Sequence, residues 1–137
     1  MRYVSTHDMA QAVRLSLVML EKSKNLNTQN GALPVLTAQN FKAEVLASEL
    51  PVLVEFWTAW SRPCQVLDSV LRELAGHWGG TVKLVKVNAD DSLDLSLCYD
   101  IQSVPTLLCF VAGRPSFRIV GTATREALEA KIKSLSQ

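Results

Sequence analysis

The segment Val52–Trp57, which reads VLVEFW, constrains the fold most. It is an apolar run interrupted by a single acid, which is typical of a strand covered on both faces. After Pro34, strand-like and helix-like segments alternate along the chain. Because a strand covered on both faces needs a layer of helices on each side, this pattern predicts an α/β fold.

The predicted elements follow the order β-α-β-α-β-α-β-β-α. The strands are predicted over Val35–Thr37, Val52–Trp57, Thr81–Asn88, Thr106–Val111 and Ser116–Val120, and the helices over Asn40–Leu46, Pro63–Ala75, Ser92–Tyr99 and Thr124–Leu135. The second helix is predicted to bury Val66, Leu67, Val70, Leu71 and Leu74 and to end at Gly76, Gly79 and Gly80. Strands joined through helices should be parallel, and the last two, joined by a turn over Ala112–Pro115, antiparallel. We therefore expect a mixed sheet of about five strands flanked by helices.

Residues 1–33 differ from this pattern and are predicted to form an N-terminal extension to a domain over residues 34–137. Apolar residues recur at helical spacing, which predicts an amphipathic helix over about residues 7–24. The polar stretch Ser23–Gly31 follows as a linker. The helix is expected to pack on its own domain or to form a dimer or partner contact.

Composition limits the classes of partner. The chain has 137 residues, is 48% hydrophobic and has a formal net charge of +1, so we expect neither nucleic acid nor a membrane surface as partner. Its three cysteines, Cys64, Cys98 and Cys109, form no C-x-x-C pair, which favours a reducing compartment and a cytoplasmic location. They and the two histidines show no ligand spacing, so neither a metal nor another cofactor is expected.

The turn after the strand VLVEFW leads directly into a helix. In open α/β sheets, ligands gather at this edge of the sheet. Ser61 is predicted at the start of the helix, where unpaired N–H groups and the helix dipole would lower the pKa of a thiol. Here the side chain is a hydroxyl.

Several landmarks together resemble the thioredoxin family over residues 34–137. They are VEFW-x-x-W-x-x-P-C, Lys86 in VKVNAD, Val104-Pro105-Thr106 before LLCF, Gly113 in the turn and Gly121 after the last strand. The resemblance implies the thioredoxin fold, a cis peptide bond before Pro105 and a place among protein-disulfide oxidoreductases that maintain cell redox homeostasis.

The active-site motif departs from the family pattern. Thioredoxins carry W-C-G-P-C, whereas this chain reads Trp60-Ser61-Arg62-Pro63-Cys64, so Ser61 stands where the attacking cysteine is expected. Because disulfide exchange requires a thiolate, the ordinary reaction should be lost. Cys64 matches the resolving cysteine and is either an inert, shielded thiol or a functional monothiol. By resemblance, Glu55 and Lys86 match the family's proton-handling pair; alternatively, Glu55 is solvated or simply paired with Lys86.

The resemblance also implies a groove that binds an extended peptide by strand addition. Its predicted residues are Trp60, Arg62, Pro63, Val104, Pro105, Gly121 and Thr122. The favoured hypothesis is a binding module without dithiol activity that recognises protein or peptide segments. The alternative is an active-site Cys-to-Ser variant of a working thioredoxin, with a thioredoxin reductase as a further partner if the dithiol form is native. A glutathione transferase, some of which place a serine at this helix start, is a weaker third hypothesis.

Overall fold

The computed structural model describes residues 32–135. The predicted N-terminal helix and linker, and the contact expected of that helix, lie outside these residues. The strands are β1 (Val35–Leu36), β2 (Val52–Trp57), β3 (Lys83–Asn88), β4 (Thr106–Val111) and β5 (Arg114–Val120). The helices are α1 (Ala38–Phe41, continued by a π-helical turn over Lys42–Leu46), α2 (Arg62–His77), α3 (Leu93–Cys98) and α4 (Arg125–Ser134).

The five strands form one sheet in the order β1-β3-β2-β4-β5. The pairs β1–β3 and β2–β3 are parallel, and the pairs β2–β4 and β4–β5 are antiparallel. The predicted mixed sheet is therefore confirmed. Phe56 lies opposite Thr106, so the end of β2 and the start of β4 meet at one edge of the sheet.

The core has two parts because side chains alternate between the faces of the sheet. One part includes Val54, Phe56 and Leu108 with residues of α1 and α3. The other includes Leu53 and Leu107 with the buried stripe of α2 and Leu128 of α4, and Leu33 joins it from before β1. Glu55 follows Leu53 by two residues and so faces α2, the side on which the site lies.

Helix α2 begins and ends differently from the prediction. It includes Arg62 because Ser61 caps it, and it continues through Gly76 to His77. The prediction that Val66 is buried was wrong, since its side chain is 54% exposed. The inward stripe runs along Cys64, Leu67, Leu71 and Leu74, and Val66 lies off that stripe at the helical repeat.

The turn between β4 and β5 is shorter than predicted. It consists of Ala112 and Gly113, both with positive φ as a two-residue type I′ turn requires. Arg114 and Pro115 already belong to β5, paired with Val111 and Phe110. Because β5 is an edge strand with a register shift beside Phe110, it accommodates the missing N–H of Pro115.

No helix within residues 32–135 combines the length and the apolar character needed to cross a membrane.

Candidate active site and peptide groove

Ser61 lies at the N-terminus of α2, where it is buried and acts as the helix cap. Its Oγ accepts a hydrogen bond from the Cys64 N–H at 3.4 Å. Pro63 follows in the first turn, where its lack of an N–H costs no helical hydrogen bond. The hydroxyl of Ser61 therefore satisfies a backbone donor that the helix itself leaves unpaired.

Cys64 lies on the inner side of the first turn of α2 and is only 2% exposed. None of the three cysteines, Cys64, Cys98 and Cys109, forms a disulfide. Cys109 is buried within β4, and burial raises the pKa of its thiol to about 11. Cys98 is exposed on α3. The thiol next to Ser61 is thus shielded from solvent.

Glu55 is fully buried in β2, and neither of its carboxyl oxygens has a hydrogen-bond partner among the described residues. Burial is the main cause that raises its pKa from 4.5 to about 8. The negative charge of Asp68 raises it further, whereas the positive charge of Lys86 lowers it. At neutral pH, therefore, most of the Glu55 carboxyl is protonated and can donate a hydrogen bond.

The structure contradicts both alternatives to a proton-handling Glu55, namely that it is solvated and that it is paired with Lys86. Glu55 is not exposed at the surface, and Lys86, although it is the register neighbour of Glu55 on the adjacent strand, forms its ion pair with another acid. Lys86 Nζ lies 3.1 Å from Asp68 Oδ1, and Arg72 Nε lies 3.2 Å from the other Asp68 oxygen. Lys86 Nζ also lies 4.0 Å from the ring centroid of Trp57. Asp68 therefore takes the ion pair that Glu55 was expected to make.

A cavity of about 220 Å³ lies between β2, β3 and α2. Its walls include Glu55, Thr58, Cys64, Asp68 and Lys86. The Oγ1 of Thr58 is buried without a hydrogen-bond partner in the described chain, like the Glu55 oxygens. A polar cavity of this size can admit several water molecules. It brings the buried acid, the lysine and the inner thiol to the walls of one cavity.

The predicted groove residues lie on the outer side of the same edge. Trp60 is 73% exposed, and its Nε1 donates to Asp90 Oδ2 at 3.0 Å. The Val104–Pro105 peptide bond is cis, and the Gly121 N–H donates to the Pro105 carbonyl at 2.8 Å. The backbone N–H and C=O of Val104 make no hydrogen bond within the described chain.

The remaining groove candidates flank this backbone. Arg62 and Pro63 are exposed in the first turn of α2, and Thr122 is exposed directly after Gly121. The structure thus brings the Trp60 turn, the Val104–Pro105 segment and Gly121–Thr122 to the sheet edge where β2 ends and β4 begins.

Sequence reasoning missed Asp68, Arg72 and Asp90. Asp68 follows Cys64 by four residues, so the predicted helix alone puts both on one face, and this spacing was the available signal. The pairing of Asp90 with the Trp60 indole joins residues 30 positions apart, and no local pattern indicates it. In the part of the chain that the structure describes, no group of three His, Cys, Asp or Glu side chains could hold a metal ion.

Comparison with known proteins identifies relatives of this architecture. The family model described as Thioredoxin matches residues 32–134. Thioredoxin C-2 of Corynebacterium nephridii is 43% identical over 96 residues, which cover 70% of this chain and 89% of that protein. Thioredoxin 1 of Nostoc sp. is 38% identical over 98 residues, covering 72% and 92%. The chloroplastic thioredoxin M4 of Arabidopsis thaliana is 38% identical over 100 residues, covering 73% and 52%.

Proposed function

Because the chain belongs to the thioredoxin family, we propose that it binds extended segments of partner proteins and does not catalyse dithiol exchange. The binding site is the groove formed by Trp60, the Val104–Pro105 segment and Gly121–Thr122. The observation that carries the proposal is the hydroxyl of Ser61 at the helix cap, directly beside the inner thiol of Cys64.

The chemistry of Ser61 excludes the usual first step. In disulfide exchange a thiolate attacks a substrate sulfur and forms a mixed disulfide, which a second thiol then resolves. A serine hydroxyl is not ionised near neutral pH and forms no sulfur–sulfur bond. Cys64 is buried, so it cannot take over the attack on a protein disulfide without a rearrangement of the helix start.

The groove retains what strand addition needs. Val104 offers an N–H and a C=O that have no partner in residues 32–135, beside a proline held in the cis form. An extended peptide that pairs with this residue would gain main-chain hydrogen bonds, and the exposed ring of Trp60 supplies apolar surface next to them. Arg62 adds a positive charge at the edge of the groove and so favours peptides that carry acidic side chains there.

The alternative function is that of a working thioredoxin whose first cysteine is replaced. The cavity that holds Glu55, Lys86 and Cys64 favours it, because a buried acid with a raised pKa beside the inner thiol suits proton transfer during disulfide exchange. In that case the dithiol form reduces protein disulfides and is itself reduced by a thioredoxin reductase. In either case, three unpaired cysteines favour a reducing compartment such as the cytoplasm.

An insulin reduction assay distinguishes the two functions. Insulin is reduced by dithiothreitol, and the reaction is followed as turbidity. We expect no acceleration by the unmodified protein and none by Cys64→Ser. Ser61→Cys is the informative variant, because it restores the pair of thiols in an otherwise identical site. Turnover by the unmodified protein would overturn the binding-module proposal, and strong turnover by Ser61→Cys alone would show that the rest of the redox site is intact.

Peptide binding is tested with the S-carboxymethylated B chain of insulin, an extended peptide without free thiols. We expect the largest amide chemical-shift changes at Val104 and Gly121 and a weaker affinity in Trp60→Ala. Val66→Ala, which truncates an exposed side chain elsewhere on α2, is the matched control and should bind normally. Shifts scattered over the surface, or an affinity unaffected by Trp60→Ala, would contradict groove binding.

A further inference from the structure

The short helix α3 presents two exposed leucines one turn apart. Leu93 is 64% exposed and Leu97 is 82% exposed, whereas Leu95 and Ser96 face the interior. Apart from Trp60, the other strongly exposed large apolar side chains of the described residues are single valines on separate elements. Isolated exposed apolar residues are ordinary. Two leucines on one helical face, however, form an apolar patch whose exposure to water is unfavourable.

The surroundings of these leucines are acidic. Residues 89–104 contain four aspartates and no lysine, arginine or histidine. Asp90, Asp91 and Asp94 form no ion pair with any described residue, whereas Asp68, Glu44, Glu73 and Glu129 all do. The fourth aspartate, Asp100, has the guanidinium of Arg118 beside it, bound to its carbonyl oxygen. We call the exposed set on and before the helix the α3 face; it comprises Asp90, Asp91, Leu93, Asp94, Leu97 and Cys98.

The loop that leads into α3 is held in place. Asn88 Oδ1 accepts hydrogen bonds from the N–H groups of Asp90 and Asp91, and Ser96 Oγ donates to the Ala89 carbonyl. The Trp60 indole binds Asp90 and connects this loop to the active-site turn. The α3 face is therefore preformed, so a partner would lose little ordering entropy on this side of the interface.

We propose that the α3 face docks a basic, amphipathic segment of a partner protein. The leucines accept the apolar side of such a segment, and the three aspartates, which form no ion pair with a described residue, attract its lysines and arginines. The same negative charge disfavours nucleic acid and anionic lipid as occupants. This surface adjoins the proposed peptide groove at the contact of Asp90 with Trp60, and its leucines lie on a different element, so it adds a second recognition element beside the Trp60 turn.

The test uses a fluorescein-labelled synthetic peptide of about 15 residues with leucines along one helical face and lysines elsewhere. Its affinity for the full-length protein is measured by fluorescence anisotropy. We expect the double variant Leu93→Ser/Leu97→Ser to bind at least about tenfold more weakly, with Val66→Ser as the matched exposed control. Asp91→Asn/Asp94→Asn should weaken binding and reduce its salt dependence, whereas the control Glu49→Gln/Glu126→Gln should not.

Two measurements on the unmodified protein complete the test. Bound peptide should shift the amide resonances of residues 93–98 and slow the reaction of Cys98 with N-ethylmaleimide, since Cys64 and Cys109 are buried. Equal binding of a peptide with glutamates in place of the lysines would overturn the proposal, and so would an unchanged affinity of the leucine variant. Shifts confined to Val104 and Gly121 would also overturn it while supporting the groove. If a variant loses peptide binding at the groove but the basic peptide still shifts the resonances of residues 93–98, the docking proposal is supported.

Discussion

Replacement of Glu55 by glutamine tests the energetic cost of a buried acid. The folded protein holds a proton on Glu55 up to about pH 8, whereas the unfolded chain releases it near the ordinary pKa of 4.5. Between these values the native state binds more protons than the unfolded state. The free energy of unfolding therefore falls as the pH rises, by about 1.4 kcal/mol per pH unit for this one group.

The accumulated effect is large for a domain of this size. Over the interval from pH 4.5 to about pH 8, the loss amounts to about 5 kcal/mol. Domains typically have about 5–15 kcal/mol of total stability, so the unmodified protein should be strongly destabilised near pH 9. A glutamine side chain cannot ionise, and the variant Glu55→Gln should therefore lose much less stability over the same range.

The assay is urea denaturation followed by far-UV circular dichroism, at several values from about pH 5 to about pH 9. The quantity of interest is the difference in unfolding free energy between the variant and the unmodified protein. The contributions of the other titrating groups are common to both proteins and cancel in this difference. Glu49→Gln, at an exposed acid, is the control and should keep the original pH dependence. Parallel curves for Glu55→Gln and the unmodified protein would refute a raised pKa at Glu55.

Four further substitutions test other contacts of the fold. Asp68→Asn removes a charge that raises the pKa of Glu55 and releases Lys86, so a carbon-13 NMR titration should show a Glu55 midpoint below about 8; an unchanged midpoint would contradict this coupling. Gly113→Ala should lose about 1–3 kcal/mol in urea denaturation, because φ is +80° and the new Cβ would meet the Leu46 carbonyl oxygen at 2.7 Å. Gly76→Ala, in the helix with no atom within 4 Å of its Cβ, should instead gain up to about 1 kcal/mol. Ser61→Ala should lose about 0.5–1 kcal/mol with the cap, and unchanged stability would show that the 3.4 Å bond contributes nothing.

The order and type of the elements could be predicted because they depend on local pattern. The apolar run of Val52–Trp57 predicted a strand with both bounds as observed, and helical spacing predicted the buried stripe of α2 apart from Val66. The ends of elements were less predictable, because they depend on single interactions. Ser61 extends α2 by one residue through its cap, and the edge position of β5 lets the strand begin at Arg114 and include Pro115.

The pairing within the site could not be predicted in the same way. Glu55 and Lys86 are register neighbours, and their charges alone suggest an ion pair. In the folded protein α2 brings Asp68 to the lysine instead, and the acid on β2 is left buried at the wall of a cavity. Since the partner lies on a different element, only the packing of α2 on the sheet decides which acid pairs with Lys86.

The amino-acid sequence by itself determined the layered α/β architecture, because that follows from residue type and short-range periodicity. Its resemblance to the thioredoxin family, in turn, revealed that the oxygen of Ser61 stands where a nucleophilic sulfur is expected. Only the tertiary structure decided which side chains are covered, which charges are paired and which are not. It buried Glu55 without a hydrogen-bond partner among the described residues and left Leu93 and Leu97 in contact with solvent beside aspartates that form no ion pair with a described residue. Burial and charge pairing depend on distances between elements far apart in the chain, and these distances exist only once the chain has packed.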